Sequence, residues 1–245
     1  MGEGVTVWVI PCYNEEARLA EAPLRALCAA PGARVLLVDD GSTDGTAALL
    51  ERYVAALDGR ATALGLAENG GKAEAVRRGL AAALEAGAAR VGYLDADFST
   101  PPDEALRLCG ALDRPGCEVA LGSRVRRLGA EVDRSAVRHV LGRLFATVAS
   151  VALDLPVYDT QCGAKLFRAT PALAEAIARP FRSRWAFDVE LLGRLLDAGV
   201  PAAAFAEVPL GRWVDVGGSK LKAASMLKAG LDLAEIAWRR RVRGR

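Results

Sequence analysis

Short apolar runs alternate with longer segments rich in alanine and leucine through the first half of the chain. Apolar runs of this kind are typical of buried strands, and the segments between them are typical of helices. We predict strands over Val5–Ile10, Val35–Val38, Ala61–Leu64, Arg90–Leu94 and Val119–Leu121, and helices over Arg18–Ala30, Thr46–Leu57, Lys72–Ala86 and Asp103–Leu112. Strands separated by helices indicate a mainly parallel central sheet with flanking helices and right-handed crossovers, which is an α/β fold.

The second half of the chain is more helical. We predict helices over Ser135–Leu153, Pro171–Ala178, Asp188–Ala198 and Leu221–Trp238, and one strand over Ala202–Pro209. The stretch "VYDTQCGAKLFRA" between the first two of these helices contains glycine and polar residues and is left without an assigned element. Because no low-complexity linker or repeat interrupts the chain, we expect a single domain over residues 1–245.

Composition narrows the class of protein. The 245 residues are 52% hydrophobic and 25% charged, with a net charge of +2, which is ordinary for a globular protein and gives no sign of nucleic-acid binding. Five cysteines without a C-x-x-C pair argue against a zinc site or a disulfide framework. Because no apolar stretch is long enough to cross a bilayer and no signal peptide is evident, we expect a cytoplasmic protein.

The C-terminal sequence "WRRRVRGR" has five arginines and no acid. A solvated chain end is one interpretation of this tail. Peripheral contact with an anionic membrane surface is the other.

Acidic residues follow several predicted strands at the point where each strand ends. Asp39 and Asp40 follow the second strand, and Asp95 and Asp97 follow the fourth. The start of a helix explains the next residues, with Ser99 or Thr100 as N-cap, but it does not explain these acids. The carboxyl ends of parallel strands form the ligand-binding edge of such a sheet. Carboxylates gathered there favour Mg²⁺ or Mn²⁺ that bridges to substrate phosphates.

Several other kinds of site are excluded by the spacing of residues. In "ENGGKAEAV", Lys72 is followed by Ala73 rather than by the hydroxyl residue of a phosphate-binding P-loop. Gly71 still permits close backbone approach, and Lys72 is placed to meet a phosphate. The chain has no G-x-G-x-x-G, and His139 is its only histidine, which disfavours a dinucleotide dehydrogenase and a histidine-based triad.

A set of longer motifs resembles one family. These motifs are "VIPCYNEE", "VLLVDDGSTDGT", "NGGKAEAV", "YLDADFSTPP", "LGSR", "YDTQCGAKLFR", "RWAFDVELL" and "EVPLGRWVDVGGSKLK". Their order and spacing resemble the family-2 glycosyltransferases, and more narrowly the dolichyl-phosphate glucosyltransferases and mannosyltransferases. The resemblance implies a GT-A fold, which is a Rossmann-like nucleotide-diphospho-sugar transferase fold. It also implies inverting, metal-dependent transfer from a nucleoside-diphosphate sugar.

The resemblance also implies roles for individual residues. It places the donor at Pro11, Tyr13, Asn14, Glu15, Asp39, Asp40, Gly71, Lys72, Asp95 and Asp97, with Asp97 and Asp95 as metal ligands. It places phosphates and acceptor at Arg124, Arg138, Gln161, Lys165, Ser219 and Lys220. The residues of the reaction centre would be Asp188, Asp159 and Asp95. Residues 1–125 would then bind the nucleotide sugar, and residues 126–245 would form the acceptor side.

Four functions remain open from the sequence. The first is transfer of a hexose, glucose from UDP-glucose in particular, onto a polyprenyl or dolichyl phosphate at the inner face of the membrane. The second keeps this donor but uses a soluble acceptor, for which Asp188 or Asp159 would be the general base. A nucleotidyltransferase and a non-catalytic binding protein for sugar nucleotides are the others.

Overall fold

A computed structural model describes residues 4–125, 128–132, 136–214 and 235, and it gives only the backbone of residues 136–141. The strands are β1 (Thr6–Cys12), β2 (Ala33–Asp39), β3 (Ala61–Gly65), β4 (Arg90–Leu94), β5 (Val119–Ser123), β6 (Glu131–Val132), β7 (Ala164–Arg168), β8 (Phe205–Pro209) and β9 (Arg212–Trp213). The helices are α1 (Glu21–Ala29), α2 (Thr46–Ala56), α3 (Lys72–Glu85), α4 (Pro102–Leu112), α5 (Ala136–Leu153), α6 (Pro171–Ile177) and α7 (Phe187–Asp197). A short 3₁₀ helix (Ala202–Ala204) precedes β8.

Seven strands form one sheet in the order β3-β2-β1-β4-β7-β5-β8. Strand β7 runs antiparallel to both of its neighbours, β4 and β5, and the other pairs in this sheet are parallel. A separate parallel pair joins β6 to β9. The predicted α/β fold with a mainly parallel sheet is confirmed, and strands from both halves of the chain contribute to the sheet.

Helices cover both faces of the sheet because the strands present apolar side chains to both sides. On one face, Val9 and Val38 pack with residues of α3, α6 and α7. On the other, Trp8 and Leu37 pack with residues of α1 and α4. Strands buried on both faces are the normal consequence of parallel crossovers.

Two details of the sequence prediction are wrong. Neither Ser99 nor Thr100 caps α4; the N-cap is Pro101, with Pro102 at the first helical position, and no side chain caps this helix end. The stretch left without an element contains β7, an internal strand of the sheet. The helix predicted over Leu221–Trp238 lies outside the described residues except for position 235.

Within the part of the chain that the structure describes, no helix has both the length and the apolarity that a bilayer crossing requires.

Candidate active site

A cleft of about 230 Å³ opens where the carboxyl ends of β1, β2 and β4 meet. Seven of the residues predicted from the sequence line it, namely Pro11, Tyr13, Glu15, Asp40, Lys72, Asp95 and Asp97. The other four lining residues, Cys12, Arg18, Ala75 and Ala96, were not predicted. The strand order therefore brings together most of the donor-side residues, which are separated in sequence by up to about 85 positions.

Asn14 and Asp39 lie beside the cleft and connect the loops that follow β1 and β2. Asn14 Oδ1 accepts a hydrogen bond from the Thr43 backbone at 2.9 Å, and the Asn14 amide donates to Ser42 Oγ at 3.0 Å. Asp39 Oδ1 accepts from the Ser42 amide at 3.0 Å. With φ at +52°, Asn14 adopts the left-handed conformation that asparagine tolerates better than most residues. Neither residue is among those that line the cleft, and both hold its rim in shape.

Asp40 holds the glycine loop that leads into α3. Its two carboxylate oxygens accept from the backbone amides of Gly70 at 2.9 Å and Gly71 at 2.8 Å. Gly71 has φ of +87°, a conformation that a residue with a side chain rarely adopts. Because Lys72 follows as the first residue of α3, this buried carboxylate fixes where the lysine enters the cleft.

Glu15 and Arg18, which both line the cleft, form an ion pair. Glu15 accepts from the Arg18 guanidinium at 3.1 Å and 2.7 Å, and the Glu15 amide donates to Thr46 Oγ1 at 2.8 Å. Burial raises the pKa of Glu15 despite the opposing charge of Arg18. The spacing of three residues between them was the available sequence signal for Arg18.

Asp95 and Asp97 both face the cleft just beyond the end of β4. Asp95 pairs with Lys72, and its backbone amide donates to Gly163 O at 3.1 Å. A side chain at Gly163 would overlap the Asp95 carboxylate, so the two segments pack in direct contact. Asp97 Oδ1 accepts from the Ser99 amide at 2.9 Å, which orders the turn after the strand.

The donor set suits a divalent cation that is shared with a ligand. Across the described residues, no group of three or more histidine, cysteine or acidic side chains forms a complete metal cage. Mg²⁺ commonly uses one or two carboxylates and takes its other ligands from water and substrate phosphates. Asp95 and Asp97, two carboxylates on one wall of an open cleft, fit this kind of binding.

Arg124, which follows β5, and Asp159, which precedes β7, form another ion pair. Arg124 Nε and Nη2 donate to the two Asp159 oxygens at 2.6 Å and 2.8 Å, and the guanidinium lies 5.4 Å from the Trp213 ring centroid. Burial opposes the charge, but Asp159 outweighs it and raises the pKa of Arg124. The Gln161 amide donates to Asp159 Oδ1 at 3.3 Å. The structure thus pairs Arg124 with a carboxylate in a bidentate arrangement.

Asp188 and Lys165 form a further ion pair, in which the lysine is completely buried. Lys165 Nζ donates to Asp188 Oδ1 at 2.5 Å and to Cys162 O at 2.7 Å. The Tyr93 hydroxyl donates to the same Asp188 oxygen. Burial, followed by the Asp188 charge, raises the pKa of Tyr93 well above its usual value. Tyr93 was not among the predicted site residues, although its position on β4, two residues before Asp95, was a usable signal.

The side chains of three predicted residues lie outside the described part of the structure. Arg138 lies on α5, and its side chain is outside the described part of the structure. Ser219 and Lys220 also fall outside the described residues, as does the arginine-rich tail. Their roles remain predictions.

Comparison with known proteins identifies the family. The sequence model for "Glycosyl transferase family 2" matches residues 7–173, which is more than half of the chain. The chain belongs to glycosyl transferase family 2. It is therefore a glycosyltransferase, and the resemblance found in its motifs is confirmed.

Two curated relatives of this family-2 enzyme match nearly the whole chain. A dolichyl-phosphate beta-glucosyltransferase of Drosophila melanogaster is 33% identical over 94% of this chain and 76% of its own length. A polyprenol monophosphomannose synthase of Mycolicibacterium smegmatis is 28% identical over 94% of this chain and 86% of its own length.

A solved structure supports the GT-A fold. The glucosyl-3-phosphoglycerate synthase of Mycobacterium tuberculosis, in complex with Mn²⁺, UDP-glucose and phosphoglyceric acid, superposes with a TM-score of 0.72. It is 20% identical, and the match covers 96% of this chain and 80% of that one. The similarity confirms the predicted GT-A fold of the family-2 domain.

Proposed function

We propose that this family-2 enzyme transfers a hexose, glucose from UDP-glucose in the first place, onto the phosphate of a polyprenyl phosphate. The observation that carries the proposal is that Asp159 and Asp188, the two carboxylates predicted as possible general bases, are each paired with a cation. Asp159 is held by Arg124 and Asp188 by Lys165, each pair largely buried. An acceptor that arrives as an anion suits a centre whose carboxylates are already paired.

A phosphate acceptor removes the need for a strong base. A phosphate monoester has a second pKa of about 6, so it is already anionic near neutrality. It needs positioning and compensation of its charge more than it needs deprotonation. The names of the curated relatives, which are dolichyl-phosphate and polyprenol enzymes, support this class of acceptor.

With a phosphate acceptor, the transfer is a single displacement at the anomeric carbon of the donor hexose. An acceptor phosphate oxygen attacks the anomeric carbon of the hexose, and the bond from that carbon to the donor β-phosphate oxygen breaks. Attack from the face opposite the nucleotide inverts the anomeric configuration and releases UDP. No proton has to be transferred in this step.

In this proposal, residues of the cleft bind the donor and compensate its charge. Tyr13, Glu15 and Lys72 line the cleft; the first two would contact the nucleoside, and Lys72 would compensate charge on the donor phosphates. Asp97 and Asp95 would hold Mg²⁺ or Mn²⁺, which when bound supplies positive charge to the leaving diphosphate. Mn²⁺ with UDP-glucose in the solved structure of similar fold is consistent with this choice of ion and donor.

The proposal includes a peripheral membrane contact by the arginine-rich tail. Arg239–Arg245 fall outside the described residues, so a peripheral membrane contact by the tail at the inner face of the cytoplasmic membrane rests on charge alone. It remains a prediction.

The test supplies the purified protein with UDP-glucose or GDP-mannose and with Mn²⁺, Mg²⁺ or chelator. Three acceptor arms are compared: polyprenyl phosphate in detergent, phosphoglycerate, and a simple long-chain alcohol. Mass spectrometry should find a hexosyl-phosphate-polyprenyl product that depends on UDP-glucose and on the ion. Product from the alcohol alone would refute the phosphate acceptor, product from phosphoglycerate alone would indicate a soluble acceptor, and exclusive use of GDP-mannose would refute the donor.

Gly163→Ala provides a test of the donor side. The added methyl group would collide with the Asp95 carboxylate, so we expect UDP binding in the presence of Mn²⁺ to weaken about tenfold, as for lost support of a metal ligand. Gly110→Ala, where a new Cβ meets nothing within 4 Å, is the matched control. Isothermal titration calorimetry measures both variants, and equal affinities would show that the Gly163–Asp95 contact does not matter for binding.

A further inference from the structure

Three polar side chains lie buried together beneath the cleft. Tyr93 and Lys165 are 0% exposed, and Asp188 is 5% exposed. Both the lysine ammonium and the tyrosine hydroxyl donate to one oxygen, Asp188 Oδ1, and the ammonium lies 5.3 Å from the Tyr93 ring centroid. Burying an ion pair seldom stabilises a fold more than apolar residues of the same size would. The cluster therefore calls for an explanation other than stability.

The cluster is connected to the cleft through the turn before β7. Lys165 Nζ donates to Cys162 O at 2.7 Å. The next residue, Gly163, accepts the Asp95 amide and lies against the Asp95 carboxylate. A continuous path of contacts thus runs from Asp188 through Lys165 and the Cys162–Gly163 backbone to Asp95.

A second contact links the same helix end to the cleft. Asp188 is in the first turn of α7, directly after Phe187. The Phe187 ring centroid lies 5.8 Å from Lys72 Nζ, and Lys72 pairs with Asp95. The start of α7 therefore lies beside Lys72, the cation of the Lys72–Asp95 pair.

We propose that Asp188 is a positioning residue for the donor site rather than the base of the reaction. Its carboxylate fixes the Lys165 ammonium, which holds the Cys162–Gly163 backbone against Asp95 and so sets the orientation of that carboxylate toward the donor. The inference rests on the proposed function only for the use of a nucleotide donor. It does not depend on the acceptor.

If Asp188 positions Asp95 in this way, substitutions along the path should weaken the binding of UDP. Asp188→Asn and Lys165→Met interrupt the same path, so each should weaken the binding of UDP with Mn²⁺ about tenfold, as for other residues that support a metal ligand. The double variant should also lose about tenfold rather than a hundredfold, because two breaks in one path are not additive. A base acting on the acceptor would leave UDP affinity unchanged in Asp188→Asn.

Glu190→Gln is the matched control for stability. Glu190 is also buried on α7 and pairs with Arg194 at 2.7 Å, but it does not contact the path to Asp95. It should lower the melting temperature without changing UDP affinity. Tyr93→Phe, which removes only a hydroxyl, replaces any variant that fails to fold, and it should weaken UDP binding by about threefold, less than the removal of either charged residue.

Calorimetry with UDP and Mn²⁺, combined with thermal unfolding, distinguishes a positioning role of Asp188 from a role as general base. Weaker binding in the Asp188, Lys165 and Tyr93 variants, with normal binding in Glu190→Gln, supports positioning. Wild-type affinity in Asp188→Asn together with loss of transfer would overturn it in favour of a base. If the unmodified protein bound no nucleotide, the proposed function would fail instead, so the two failures are distinguishable.

Discussion

Asp97→Asn is expected to lower the rate of glycosyl transfer about a hundredfold or more while the protein stays folded, since charge stabilisation by a bound metal contributes several kcal/mol. Asp97 lines the cleft, and an amide at this position lacks the negative charge that a divalent cation requires. The asparagine side-chain oxygen can still accept the hydrogen bond that Asp97 Oδ1 receives from the Ser99 amide. The turn after β4 should therefore keep its shape, which separates the effect on the metal from an effect on folding.

Initial rates measured across a Mn²⁺ titration provide the test. We expect the remaining activity of Asp97→Asn to require a much higher ion concentration, and its thermal unfolding to match that of the unmodified protein. Asp58→Asn is the matched control, since Asp58 is exposed, lies away from the cleft and has φ of +47°, which asparagine also tolerates. Full transfer activity of a folded Asp97→Asn protein would remove the residue from the metal site.

The donor side of the site was predictable because its placement follows from local patterns. Apolar runs located the strands, and in a parallel sheet the residue after each strand lies at the same edge. Strand β4 was predicted with the bounds that the structure gives, so Asp95 and Asp97 were placed correctly at its carboxyl end. Asp40 was also placed correctly, but its contact with Gly70 and Gly71 depends on a loop 30 residues away and could not be read locally.

Strand β7 was harder to predict because its sequence contradicts local rules. Strand β7 has the sequence AKLFR with a completely buried Lys165, and a lysine is almost never buried unless it is paired. Its partner is Asp188, 23 residues further along the chain, so no local pattern signals the strand. The prediction of Ser99 or Thr100 as the N-cap of α4 was wrong for a related reason. Asp97 accepts the Ser99 amide and gives that segment a turn of its own before Pro101.

Pairing also changes the interpretation of the charged residues in the site. From sequence, Asp159 and Asp188 are possible bases and Arg124 and Lys165 are possible phosphate ligands. In the structure each of these acids holds one of these cations. Because each acid already compensates a cation, the pairing supports the proposal that these residues position an acceptor that is already ionised rather than act as general bases.

Arg124→Met is expected to reduce the free energy of unfolding by roughly 3–5 kcal/mol, because it leaves a buried carboxylate without its cation. Arg124 binds both oxygens of Asp159 and packs on Trp213. For a chain of this length, the melting temperature should fall by roughly 6–20 °C. Arg212→Met is the control, since its pair with Asp103 is exposed on both sides and contributes about 0–1 kcal/mol.

Chemical denaturation measures stability, and steady-state kinetics on the same variants separate structure from binding. If Arg124 serves only to hold Asp159, stability falls while the KM values of the surviving folded enzyme change little. If it also contacts a phosphate, as the sequence resemblance implies, the KM for donor or acceptor should rise by about tenfold to a hundredfold, the value of a lost charge-assisted bond. Unchanged stability in Arg124→Met would mean that the buried pair contributes nothing to the fold, because the Asp159 carboxylate would then be equally well accommodated without its arginine.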